Sequence, residues 1–134
     1  MIHSDFQTPE PVSTILVSRP GIMRQSLSVA LTMCSWVSVV PVAGDGLNAL
    51  NQVIQYQPRL LIIDSNLLDE EVDALLTAVK IRQPSIRCLV FVQSHQREAH
   101  LLAAHADAVV LRSASAPQFQ AVLRQLSKDV VIQG

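Results

Sequence analysis

Several residues in this chain are of types that could do chemistry. His95, His100 and His105 recur every five positions. On a helix five residues advance by about 140°, so the three rings fall on different faces and read as surface histidines, not as a metal cluster. Gly44-Asp45-Gly46 is glycine-rich but has neither a phosphate-loop lysine nor a GxGxxG frame; it reads as a turn before a helix. Ser13, Ser18, Ser26 and Ser28 lie in no GxSxG or similar nucleophile context, which argues against a hydrolase. Cys34 and Cys88 lack CxxC spacing and are expected to be reduced and packed as small apolar residues. What remains is a set of polar residues that each close an apolar run: Ser18 and Arg19, Asp64, Gln93 and Ser94 after Val92, and Arg112.

The elements that must position them alternate along the chain. Short apolar or β-branched runs are expected as strands at Thr14–Ser18, Val37–Val42, Arg59–Asp64, Ile86–Val92 and Asp107–Leu111. Pro41 cannot donate a ladder hydrogen bond, which places the second strand at a sheet edge. The continuous apolarity of RLLIID suggests burial on both faces, as in parallel sheets. Between the runs, helical spacing places stripes at Ile22, Met23, Leu27, Ala30 and Leu31, at Leu47, Leu50, Val53 and Ile54, at Val72, Leu75, Leu76 and Val79, and at Phe119, Val122, Leu123 and Leu126. A further helix is expected from about His95 to Ala104. Asp69-Glu70-Glu71 puts acids where a helix dipole favours them, and Ser115-Ala-Pro-Gln118 looks like a capping box. Five β-α units imply a parallel sheet with helices on both faces. In such sheets ligands bind beyond the carboxyl ends of the strands, which is where the polar residues above fall.

With 134 residues the chain is long enough for one domain with a core. Apolar residues make up 49% and charged residues 16%, which excludes intrinsic disorder. Ten Lys and Arg against eleven Asp and Glu leave no basic surplus for nucleic acid or an anionic membrane. Aromatics at 4% argue against a base-stacking platform. No apolar run approaches the ~20 residues of a membrane helix, and the N-terminus does not read as a signal peptide, so a cytoplasmic location is expected. Residues 1–12 read as a flexible tail, 13–128 as the domain and 129–134 as a C-terminal tail. The chain ends KDVVIQG with no further domain expected, either as a single-domain protein or as one domain excised from a longer protein.

Taken in order, ILVSRPGIMRQSL (15–27), GDGLNAL (44–50), LLIID (60–64) and HADAVVLRSAS (105–115) resemble the receiver domain of two-component response regulators (CheY-like), the SAS being typical of its DNA-binding subfamily. The resemblance covers about residues 13–128. It implies an α/β, doubly wound, flavodoxin-like five-stranded parallel sheet of order 2-1-3-4-5. It also implies that Asp64 is the phosphoacceptor, a carboxylate nucleophile taking a phosphoryl group from a histidine kinase. Read without it, Asp64 is a strand-end acid capping the next turn.

The other family positions depart from the pattern. Two acids that hold Mg²⁺ should follow the first strand; Ser18 and Arg19 stand there, and a hydroxyl and a cation do not replace two carboxylates. Mg²⁺ binding is therefore expected to be weak or absent, with no other metal and no cofactor. The family's lysine is Arg112, a planar fork in place of a point cation. The small hydroxyl residue that ends strand four falls at Val92 or Gln93, and the aromatic residue three before the lysine is Val109. These switch positions read as plain core valines. Arg19 or Arg112 could pair with Asp64 in place of the metal, or Arg19 could point to solvent. The expected function is that of a pseudo-receiver, not an enzyme: a protein-interaction module for a histidine kinase or another signalling protein, with an impaired phosphorylation site. A homodimer through the last helix is part of that expectation. The alternative is a phosphorylatable receiver that uses Asp64.

Overall fold

The computed structural model describes residues 11–64 and 66–133, at 39–41 and 128–133 by backbone alone. Five strands, β1 (Val12–Val17), β2 (Val37–Ala43), β3 (Leu60–Asp64), β4 (Arg87–Val92) and β5 (Ala108–Leu111), form one parallel sheet of order β2-β1-β3-β4-β5. The helices are α1 (Ile22–Thr32), α2 (Gly46–Tyr56), α3 (Asp69–Arg82), α4 (Glu98–Ala103) and α5 (Ala116–Gln133). This is the doubly wound sheet expected from the alternating pattern.

Strand alternation sends successive side chains to opposite faces. On β3, Leu61 and Ile63 pack with Val53 of α2, Leu75, Leu76 and Val79 of α3 and Leu101 of α4. Leu60 and Ile62 pack with Leu27 and Leu31 of α1 and Phe119 and Leu123 of α5. All five residues of β3 are buried, which explains why its sequence is apolar without alternation. Cys34 and Cys88 are buried free thiols within these two cores. Burial pushes the Cys88 thiol up to about 12 and raises that of Cys34.

β2 lies at an edge, as its proline requires. Its register against β1 shifts, Thr14 opposing Val39 and Leu16 opposing Val42. One extra residue is thus accommodated on β2 beside Pro41, as in a β-bulge. Helix starts follow the expected signals. Asp45 accepts from Asn48 N at 2.8 Å. Ser115 and Gln118 exchange side-chain and backbone bonds as a capping box, at 3.0 and 3.3 Å.

Two boundaries differ from the sequence reading. The helix expected over 95–104 begins as a 3₁₀ turn, His95–Arg97, capped by Ser94, and only then becomes the short α4. The last helix runs on to Gln133, so residue 128, where the domain was expected to end, lies inside α5. The expected N-terminal tail lies, as far as residue 10, outside the described residues; Val12 of that tail already opens β1. No described helix is long and apolar enough to cross a membrane.

Candidate functional site

The strand ladder continues one residue past two of the strands. Ser18 N donates to Ala43 O at 2.9 Å and Arg112 N to Val92 O at 2.8 Å. By parity Ser18 follows Leu16, Asp64 follows Ile62 and Arg112 follows Val110, all on the α1/α5 face. The alternation that builds the core therefore aims three polar side chains at one place above the sheet's carboxyl end.

Asp64 is 0% exposed. Its Oδ1 accepts from Arg112 twice, from Nε at 3.1 Å and Nη2 at 2.6 Å. Its Oδ2 accepts from Ser18 Oγ at 3.0 Å, and Ser18 is likewise 0% exposed. Arg112 follows β5, two strands from β3, so its side chain spans β4, roughly 10 Å of sheet at ordinary strand spacing. Its side chain remains 18% exposed. A buried carboxylate persists only if it is paired and hydrogen-bonded, and both conditions are met here.

Two residues not singled out in the sequence complete the setting. Asn66 Nδ2 approaches Ser18 Oγ at 3.4 Å, and Asn66 Oδ1 accepts from Arg19 N at 3.2 Å. Arg24 grips Ser18 O through Nε at 2.9 Å and Nη2 at 2.5 Å. Asn66 stands two residues past Asp64, on the turn its strand must make. Arg24 carries no signal in the sequence, being one cation within an amphipathic helix.

Of the two arginines considered as partners for Asp64, only Arg112 takes the role. Arg19 turns instead to Glu71 on α3, with Nη2 at 3.5 Å from Oε1, and its side chain is 48% exposed. Glu71 is held in turn by Gly46 N at the start of α2, 2.7 Å from Oε2. At the switch positions, Val92 ends β4 buried and Val109 is half-buried against the same core. Gln93 is exposed and Ser94 caps the 3₁₀ turn, accepting from Gln96 N at 3.4 Å. The histidines are spread out: His95 pairs with Glu98, His100 with Asp73, and His105 takes a left-handed backbone after α4. Among the described residues no three His, Cys, Asp or Glu side chains gather as metal ligands.

The donor set around Asp64 does not fit Mg²⁺. A divalent ion of this kind wants several oxygen ligands in octahedral array. Here one carboxylate is available, and a guanidinium already occupies one of its oxygens while a hydroxyl hydrogen occupies the other. Both are hydrogen donors facing the place where a cation would need acceptors.

The fold is that of response regulator receiver domains. The CheY-like receiver domain protein of Methanospirillum hungatei JF-1 superposes with a TM-score of 0.81 at 16% identity, over 93% of this chain and 100% of that one. A LuxR-family two-component response regulator from Aurantimonas sp. SI85-9A1 gives 0.77 at 19%, over 89% and 87%. The RcsB response regulator of Salmonella typhimurium gives 0.78 at 18%, over 90% of this chain and 61% of that one. The chain thus spans about three fifths of the length of RcsB. No family model and no curated protein matches the chain.

Proposed function

We propose that the chain is a receiver-type signalling module that acts by protein contact, is not an enzyme, and takes phosphate on Asp64 poorly or not at all. The observation that carries this reading is the closed Arg112–Asp64–Ser18 triad. To attack a phosphorus atom, Asp64 would have to free an oxygen now held by Arg112 or Ser18. Without a metal it would meet an incoming anion with arginine side chains as the nearby charge balance. In this reading Arg112 supplies permanently the positive charge that a metal would bring only on binding.

The proposed partners are a histidine kinase or another cytoplasmic signalling protein, and a second copy of the chain. The face for self-association is α5, where Gln118, Gln120, Ala121 and Gln125 are exposed. Arg124, on the same helix, is engaged over the Trp36 ring at 5.4 Å. A neutral face of this kind is cheap to desolvate, and charge depletion marks interface centres. Nothing in the composition favours nucleic acid or a membrane as partner.

Intact-mass measurement after incubation with acetyl phosphate and Mg²⁺ tests the reading. The expected result is no substantial phosphorylated species. A phosphoryl adduct that forms readily and disappears in Asp64→Asn would establish the other reading, a receiver that phosphorylates through an altered site. That reading draws its support from Asp64 itself, which stands at the carboxyl end of the central strand.

A further inference from the structure

On the face of the sheet opposite the triad, α2 and α3 pack side by side. α2 carries no charged residue. Between the two helices lies an open groove of about 230 Å³. Leu50 and Leu75 floor it, and Leu47 of α2 and Ala74 and Ala78 of α3 flank it. Leu47 is 71% exposed, Ala74 is exposed, and Leu50 and Ala78 are half-buried. The apolar lining therefore meets solvent directly. Glu71, at the upper end of the groove, already has its carboxylate engaged by Gly46 N and Arg19.

Free charge stands at the two ends. Glu70 lies one turn before Ala74 and Arg82 one turn after Ala78, both exposed. Among the described residues neither has an oppositely charged side chain within ion-pair distance. Arg59, which with Arg82 lines the depression below the groove, adds to the positive end. Residues four apart form a ridge on a helix, so Glu70, Ala74, Ala78 and Arg82 make one ridge beside the groove. The midpoint of positions 70 and 82 is also the midpoint of 74 and 78. Turned end for end about that point, the ridge is its own complement: Glu70 comes opposite Arg82, and Ala74 opposite Ala78. Ridges of this class cross at about 50°, and the long Glu70 and Arg82 side chains span the gap that opens towards the ends.

We propose that the α2/α3 face is a two-fold contact surface for a second copy of this chain, with the two α3 helices antiparallel. The occupant follows from the charges. In a two-fold pair every contact occurs twice, so the pair gains two Glu70–Arg82 bridges at its rim while the apolar groove and Leu47 are covered at its centre. The surface lies across the sheet from α5 and does not depend on whether Asp64 takes phosphate. An apolar centre this small with an exposed charged rim belongs with the transient interfaces, with a Kd of the order of 100 µM.

Sedimentation equilibrium of the whole chain over about 10 µM to 1 mM tests the proposal. The expected result is a monomer–dimer equilibrium that weakens several-fold between about 50 mM and 500 mM salt, as bridges at a solvated rim are screened. Arg82→Glu and Glu70→Arg, each confirmed as folded by circular dichroism, should weaken it roughly tenfold or more, since each sets like charges against one another twice. An equimolar mixture of these two variants should recover near wild-type affinity, because both bridges then join opposite charges. A disturbance of the α3 helix by either substitution is not cured by mixing. Leu47→Asp should weaken the dimer at every salt concentration. A monomer throughout, association unchanged in both charge variants, or a mixture no tighter than its components would overturn the proposal. Association that resists salt and these variants but is lost in Ala121→Lys with Gln125→Lys would assign the contact to α5 and likewise overturn it.

Discussion

Replacing Arg112 by methionine removes the guanidinium but keeps most of the side chain's apolar length. Asp64 would then be a carboxylate with no exposure whose remaining bond is that from Ser18. Breaking a buried ion pair by deleting one partner costs about 3–5 kcal/mol. The lower end applies here, because Ser18 remains and the Arg112 side chain is 18% exposed, so water can approach the space it leaves. About 3 kcal/mol corresponds to roughly 150-fold in the folding equilibrium. It would lower the urea midpoint by roughly 1.5–2 M. The converse change should be milder. In Asp64→Asn the amide keeps a hydrogen bond with Ser18, and Arg112 can turn to solvent, for a cost of about 1–2 kcal/mol. The double variant should cost less than the sum of the singles, since each change removes the reason for the other's penalty. Equilibrium urea unfolding followed by Trp36 fluorescence measures all four proteins. If Arg112→Met lies within about 0.5 kcal/mol of wild type, or is no worse than Asp64→Asn, the guanidinium is not what stabilises Asp64 in its buried place, and the argument from the triad collapses.

Titration of Mg²⁺ to millimolar levels should give no saturable amide shifts near residue 64, whereas Ser18→Asp with Arg19→Asp should create them; local saturation in wild type would refute the donor-set argument. Self-association through α5, followed by light scattering across a concentration series, should survive Asp64→Asn and weaken with Ala121→Lys and Gln125→Lys; a monomer at every concentration would leave only a foreign partner. The buried Cys88 thiol has a raised folded-state pKa, so the stability it contributes is complete below pH 9.0 and is lost as pH climbs towards about 12, the unfolded chain shedding its proton first. The stability gap between wild type and Cys88→Ala should accordingly narrow across that range, and a constant gap would contradict the burial argument. Ser115→Ala, which removes one half of the capping box, should cost about 1 kcal/mol in thermal or urea unfolding; no measurable loss would mean that α5 is held by packing alone.

The sheet could be read from the sequence because its signals are local. A both-faces-buried strand has to be apolar throughout, as LLIID is, and Pro41 restricts its strand to an edge. The strand ends follow from the same pattern, which places Ser18, Asp64 and Arg112 at the carboxyl end of the sheet. Which arginine pairs with Asp64 was not decidable that way. The choice depends on Glu71, whose position is fixed by the start of α2 twenty-five residues earlier, and no local pattern distinguishes it from Asp69 and Glu70. Arg24 carries no signal for a similar reason: its partner is a backbone carbonyl, and every residue has one.

The displaced register of β2 has a consequence for how molecules of this chain can meet. An open sheet offers its two outer strands as templates for further strands, and continuous pairing there leads to fibres. On one side Pro41 withholds an amide and the extra residue beside it throws the ladder out of step. On the other, β5 is only four residues long. Neither border can serve as a long template, so association by sheet extension is blocked at both ends. Contacts between copies are thereby channelled to side chains on helical faces, where they can be reversible and specific.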